Sequence, residues 1–329
     1  MGTTLLVVVV VVGLAFDFTN GFHDTANYVA TWVGTRALSP RRAVAISAAA
    51  NLVGAFVTTA VAKTVAEGII QTSLATEQTV LAALLGAITW NLVTWRLGLP
   101  SSSTHALIGG LVGAALVRSG VGGVQWHGVW AKVIIPGAVS PAFGFAGAFL
   151  ILVLIYRLFF RAAPGVANRG FRLGQLASGT WVAFAHGAND AQKTMGVIAL
   201  ALYTHGSISS FYIPTWVKIT AGLTIAAGTY AGGWRIIRTL GQRVYKMAPE
   251  HGFSAQLAAG TTLFAGTHFG FPISTTHVVT GSVMGAGATR RFSAVRWGVA
   301  GNIVAAWLVT LPAAALVAAA LYYPVQWIF

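Results

Sequence analysis

Apolar residues run in long blocks along this chain. The first series covers about residues 3–33, 41–65, 79–97, 101–118 and 129–160, and the second about 174–203, 213–234, 254–270, 272–289 and 293–321. A helix that crosses a bilayer needs about 20 apolar residues. The blocks near thirty residues therefore predict tilted or broken spans. The two that start at Ser101 and Pro272 are marginal in length and predict re-entrant hairpin arms. A membrane β-barrel would show alternating ten-residue strands, which the pattern lacks. Met1 to Ala15 carries no positively charged leader segment and reads as the start of the first membrane helix.

Composition sharpens this picture. Of 329 residues, 56% are hydrophobic and only 8% charged, with a mean hydropathy of +0.74, whereas a soluble domain carries about 25% charged residues. A soluble fold is excluded. The 39 glycines suit close approach of membrane helices. The absence of cysteine excludes disulfides, thiol catalysis and thiolate metal sites.

The net charge of +14 would attract a nucleic acid if it formed one stripe. It falls instead in short clusters between apolar blocks. With ten crossings, alternate loops gather Arg36, Arg41, Arg42, Arg96, Arg157, Arg161, Arg169, Arg172, Arg235, Arg238, Arg243, Lys246, Arg290, Arg291 and Arg296 on one side. Only Lys63, Arg118, Lys132 and Lys218 fall on the other. Because Lys and Arg accumulate on cytoplasmic loops, the first side is expected to be cytoplasmic. The chain reads as a multi-pass protein of the inner or plasma membrane, in contact with lipid, with both termini outside and no nucleic-acid partner. Lys193 belongs to neither side and lies within a span.

Two echoes divide the chain. Asn20-Gly-Phe-His-Asp24-Thr-Ala-Asn27 recurs as His186-Gly-Ala-Asn-Asp190-Ala-Gln-Lys193, an offset of 166, and Pro100-Ser-Ser-Ser-Thr-His105 recurs as Pro272-Ile-Ser-Thr-Thr-His277, an offset of 172. Two ordered matches at nearly equal offset predict a duplication, and an odd number of crossings per unit inverts the second copy. The expected fold is an all-α, polytopic helix bundle of two inverted-topology repeats with broken or re-entrant helices. Residues 1–160 form the N-terminal repeat, 161–173 a short basic cytoplasmic linker and 174–329 the C-terminal repeat. Inverted repeats place a substrate site near the bilayer midplane between halves.

Of six acidic residues, Asp17, Asp24 and Asp190 fall inside spans. An intramembrane carboxylate needs a partner, an ion or a proton. Asp24 and Asp190 are repeat mates, whereas Asp17 has none, because Ala183 stands opposite. Glycine, asparagine and histidine around each acid predict interrupted backbone that lines a cavity, with oxygen ligands for a hard cation or a carboxylate for a proton. The Pro-Ser-Ser-Ser-Thr and Pro-Ile-Ser-Thr-Thr stretches read as helix starts. Unpaired N–H groups and hydroxyls there form a neutral donor set for a tetrahedral oxyanion. His23, His105, His186 and His277 are candidate proton carriers or packing donors. Lys193, three residues after Asp190, is a candidate ion-pair partner or anion ligand.

The motifs Gly21-Phe-His-Asp-Thr-Ala-Asn27, Trp90-Asn-Leu-Val-Thr-Trp-Arg-Leu-Gly-Leu-Pro-Ser-Ser-Ser-Thr-His105, His186-Gly-Ala-Asn-Asp-Ala-Gln-Lys193 and Pro272-Ile-Ser-Thr-Thr-His277 resemble the PiT family of inorganic phosphate transporters, in its bacterial low-affinity branch. The resemblance implies a symporter that imports inorganic phosphate by alternating access. It implies phosphate at Ser102, Ser103, Thr104, Ser274, Thr275 and Thr276, and a coupling ion at Asp24, Asn27, Asn189 and Asp190. His23, His105, His186, Lys193 and His277 are the further proton or phosphate contacts. The coupling ion is H⁺ or Na⁺, no other cofactor is implied, and the bacterial branch carries phosphate as a neutral metal complex. No metal is named by the sequence, and it admits a homo-oligomer. His23 stands where the second motif has Asn189, and Asn27 where it has Lys193, so the two halves are not chemically equivalent. The alternative cargo is sulfate or another tetrahedral oxyanion on the same fold. A channel is the further rival. No serine-hydrolase or zinc-protease arrangement is present, so no enzyme is expected.

Overall fold

The computed structural model describes residues 2–239, 245 and 247–329. Met1, Arg243 and Lys246, which entered the reading above, lie outside the described residues. The first half runs α1 (Gly2–Asp24), α2 (Ala26–Gly34), α3 (Pro40–Gly54), α4 (Ala60–Glu67), α5 (Glu77–Leu97), α6 (Ser103–Ser119), α7 (Trp126–Gly128) and α8 (Ile135–Leu158). The second runs α9 (Pro164–Thr204), α10 (Thr215–Ala231), α11 (Trp234–Arg238), α12 (Pro249–His268), α13 (Thr275–Arg290) and α14 (Trp297–Ile328). Among the described residues the only β pairing is an isolated bridge, Ile70 to Val124.

Among the described residues, five helical stretches are long and apolar enough to cross a membrane: Gly2–Gly34, Glu77–Leu97, Ser103–Gly123, Trp126–Leu158 and Trp297–Ile328. Phe143 and Leu150 on α8, with Leu308 and Leu316 on α14, are each at least 65% exposed. Such a spread of bare large apolar side chains suits contact with lipid.

Local sequence sets the element ends. The Thr76 hydroxyl accepts from the Thr79 N–H and starts α5, while Gly98, at φ 67°, closes it in the left-handed region that glycine tolerates. Ser102 and Ser274 cap α6 and α13 in the same way, each hydroxyl accepting from the backbone N–H of the histidine three residues on. Those two helices have 17 and 16 residues, and each packs as a hairpin against the helix before it, α5 or α12.

Backbone contacts tie the halves together reciprocally. Gly109 and Gly113 of α6 lie so close to α14 that a side chain there would collide with the carbonyl oxygens of Leu311 and Ala315. Their repeat mates, Gly281 and Gly285 of α13, lie equally close to the Pro141 and Phe145 carbonyl oxygens of α8. Likewise Gly21 of α1 abuts the Ile225 carbonyl of α10, and its mate Gly187 of α9 abuts the Asn51 carbonyl of α3. Small residues at such positions allow helix backbones to touch.

Loops assigned to one side by charge also meet. Arg235 donates to the Arg96 carbonyl oxygen at 2.8 Å, and Gln125 donates to the Glu67 carbonyl oxygen at 2.7 Å. Two local differences from expectation stand out. The predicted linker is largely helical, since α9 begins at Pro164. Around Asp24 the helix is interrupted at Thr25, but α9 passes unbroken through Asp190 for 41 residues. Asp190 finds a partner on its own helix face, so no backbone has to open around it.

Candidate functional site

The six hydroxyl residues at the two helix starts, Ser102, Ser103, Thr104, Ser274, Thr275 and Thr276, are all buried. The first N–H groups of a helix have no partner within it, so both starts present donors to the same interior region. There they meet the two aspartates. Thr275 Oγ1 donates to Asp190 Oδ1 at 3.3 Å, and Thr276 Oγ1 faces Asp24 Oδ1 at 3.5 Å. Ser103 Oγ is buried with no partner.

Lys193 connects the two halves. Its Nζ lies 2.7 Å from Asp190 Oδ1 and donates to Thr104 Oγ1 at 2.5 Å and to the Ile273 carbonyl oxygen at 3.3 Å. Asn27, its repeat mate, donates from Nδ2 to Thr276 Oγ1 at 3.1 Å, and Thr276 is the mate of Thr104. One equivalent contact is therefore cationic and the other neutral.

Between the aspartates sits His186. Its Nδ1 lies 2.5 Å from Asn51 Oδ1, and the Asn51 amide nitrogen already donates to Tyr28 Oη and the Ser47 carbonyl oxygen. The Asn51 oxygen thus accepts, and Nδ1 bears the hydrogen. His186 Nε2 is left facing Asp24 Oδ2 at 3.8 Å and Asp190 Oδ2 at 3.7 Å, without a hydrogen bond. Donor atoms of these three side chains lie within 4.8 Å of one another, close enough to serve one cation. His23 Nδ1 donates to Asp24 Oδ1 at 2.9 Å, and its Nε2 lies 3.1 Å from Thr94 Oγ1.

The other expected residues are placed less centrally. Asn189 turns its amide nitrogen to Thr267 Oγ1 at 2.9 Å and to the Phe271 carbonyl oxygen at 3.1 Å, and its Oδ1 is buried with no partner. His105 and His277 stack on each other, ring centroids 4.8 Å apart and planes at 15°. His105 Nδ1 bonds Ser102 Oγ at 2.8 Å and His277 Nδ1 donates to the Gly137 carbonyl oxygen at 3.3 Å.

Asn20 was not singled out from sequence, yet its Nδ2 donates to Asp190 Oδ2 at 3.2 Å. The signal was available, since the offset of 166 that carries Asp24 onto Asp190 carries Asn20 onto His186. Each of these mates reaches across to the aspartate of the other half.

Residues 20–318 match the model of the PHO4 phosphate transporter family. The chain is similar to proteins described as "probable low-affinity inorganic phosphate transporter". One from Rhizobium meliloti is 49% identical over 97% of this chain and 96% of its own length. Another from Mycobacterium bovis is 51% identical over 98% of this chain and 78% of that protein, and one from Bacillus subtilis is 41% identical over 99% and 98%. A solved structure described as "the sodium-dependent phosphate transporter" superposes with a TM-score of 0.91 at 26% identity, covering 99% of this chain and 100% of the other.

Proposed function

Since the chain belongs to the phosphate transporter family, and is thus a membrane protein that transports inorganic phosphate and not an enzyme, we propose that it is a symporter working by alternating access. Phosphate would bind between the starts of α6 and α13, against Ser102, Ser103 and Thr104 on one side, Ser274, Thr275 and Thr276 on the other, and Lys193. The coupling ion would be held by Asp24, Asp190 and His186, with Asn27 ordering Thr276. The reading treats the halves as inverted repeats, supported by the reciprocal glycine contacts. It places the arginine-rich loops in the cytoplasm and both termini outside the cell membrane.

One observation carries the coupling. Asp190 touches the anion donors through Lys193 and Thr275 on one oxygen and faces Asn20 and His186 on the other. Filling either site changes the charge felt in the other, which is what linked binding of two solutes requires. The imidazole nitrogen between two carboxylates favours a proton over Na⁺, because Na⁺ as a hard cation prefers oxygen ligands. Occupancy must then shift the balance between outward-open and inward-open arrangements.

The test is uptake of labelled phosphate into proteoliposomes under imposed pH or Na⁺ gradients, for wild type, Asp24→Asn and Asp190→Asn. Wild type should respond to the pH gradient, and both variants should lose that response. Near-normal gradient-driven uptake in both variants would remove the coupling role. An equal concentration of sulfate that abolished uptake would overturn phosphate selectivity, and inhibition by chelators would favour a metal–phosphate complex as the cargo.

A further inference from the structure

Asp17 lies on α1, two turns before Asp24, and is fully buried. Its Oδ1 accepts one hydrogen bond, from Thr194 Oγ1 at 2.9 Å. Its Oδ2 is buried with no partner at all. The other two carboxyl groups inside the bundle are compensated: Asp24 has His23 at 2.9 Å, and Asp190 has Lys193 at 2.7 Å. Among the described residues no cationic side chain lies within ion-pair distance of Asp17.

The elements packed against α1 are α2, α5, α6, α9 and α10. From α9, Asp190 and Lys193 face Asp17 electrostatically, and they are already bonded to each other. On α5, Glu77 and Arg96 occupy the first and last turns, as do His105 and Arg118 on α6. On α10, Lys218 sits in the first turn and Tyr230 is 64% exposed. Tyr28 of α2 engages Asn51 and Thr229. A bare carboxylate with one hydrogen bond is strongly unfavourable in such surroundings, and a bound proton removes the charge.

We propose that Asp17 is a proton-binding site of its own, separate from the Asp24–His186–Asp190 cluster, loaded when phosphate is bound and emptied when it leaves; this rests on the symport reading above. The link runs through Thr194, whose chain neighbour Lys193 bridges Asp190 and Thr104. An ionised Asp17 adds a second carboxylate to the surroundings of Lys193 and competes with a bound anion for its charge. A protonated Asp17 leaves that charge to the anion. The proton comes from water on the loading side and returns to water on the release side.

The experiment compares wild type with Asp17→Asn, whose amide oxygen can still accept from Thr194. Proton entry, read by a pH-sensitive dye trapped in proteoliposomes, is measured beside labelled phosphate uptake. Each coupled proton changes limiting phosphate accumulation by about tenfold per pH unit of gradient, so Asp17→Asn should lose one such factor, with a proton-to-phosphate ratio lower by a single proton. An unchanged ratio in Asp17→Asn, beside gradient-driven wild type, overturns the Asp17 site and leaves the symport reading intact. Wild-type uptake that ignores every imposed gradient sinks the symport reading and this inference with it. A second measurement does not depend on the variant folding. Infrared spectra of the wild-type protein at neutral pH with phosphate bound should contain the carbonyl band of a buried protonated carboxyl, and that band should vanish when phosphate is removed. Absence of the band, or a band indifferent to phosphate, overturns the proposal.

Discussion

The Lys193–Asp190 pair gives the sharpest test of how the site is held together. Both side chains are 0% exposed and their charged atoms lie 2.7 Å apart. Lys193→Gln leaves Asp190 buried with the Asn20 and Thr275 hydrogen bonds, at 3.2 and 3.3 Å, and His186 Nε2 at 3.7 Å. Asp190→Asn leaves the ammonium with hydroxyl and carbonyl partners but no counter-charge. Removing one member of a buried ion pair costs about 3–5 kcal/mol. The double variant carries no charge and keeps amide groups able to bond Thr104 and Thr275, so its cost is expected near 1–2 kcal/mol, the value of imperfect neutral hydrogen bonds. The double variant should therefore be more stable than either single variant. The measurement is a double-mutant cycle by thermal unfolding in detergent, where each kcal/mol corresponds to roughly 2–4 °C in a large domain. Single-variant losses that simply add in the double variant would refute the pairing, and with it the claim that Lys193 ties the anion donors to the acidic cluster.

Other expectations follow from the same geometry. Thr104→Val keeps the shape and removes the hydroxyl that meets Lys193 and the Ile273 carbonyl; a hydrogen bond to a charged group is worth about 1.5–3 kcal/mol, so phosphate affinity in a binding assay should fall by about 10- to 100-fold. Ser101→Ala, at a hydroxyl bonded to Thr94 and His23, should change affinity much less in the same assay. Gly109→Val should cost about 1–3 kcal/mol or abolish folding through overpacking against the Leu311 backbone, whereas Gly301→Val, with open space around it, should chromatograph like wild type. Thr76→Ala should lower thermal stability by about 1 kcal/mol, the value of a helix cap, and leave phosphate affinity unchanged.

Much of the architecture could be read from the chain because a membrane limits the options. Long apolar blocks must become helices, and Pro followed by Ser or Thr marks where a helix starts. Thus α6 and α13 begin one residue after the capping serines that the motifs contain. The block near 41–65 divides into α3 and α4, a break that hydropathy alone does not record because Phe56 and Val57 are as apolar as the helices beside them. Asp24, Asp190 and the hydroxyl residues were legible because the two sequence echoes each present them twice. The bridge from Lys193 to Thr104 was not, since the two residues lie 89 positions apart and only folding brings them together. Nor was the aim of the His186 ring, which is set by the Asn51 side chain, itself oriented by Tyr28 and the Ser47 carbonyl. The partners of Asn189 were equally hidden: its amide nitrogen bonds Thr267 of α12, 78 positions away, and leaves its Oδ1 buried without a partner.

The seating of α6 on α14 has a consequence for how the molecule is made. α6 leaves the ribosome early, yet the backbone surface that receives Gly109 and Gly113 belongs to the last helix. Chains generally acquire structure from the N-terminus as they are synthesised, and contacts between distant segments form late. The start of α6, residues 102–104, therefore reaches its final seating only when translation is nearly complete. A chain interrupted before Trp297 would lack the Leu311 and Ala315 backbone that receives Gly109 and Gly113, so its glycine ridge would stay uncovered.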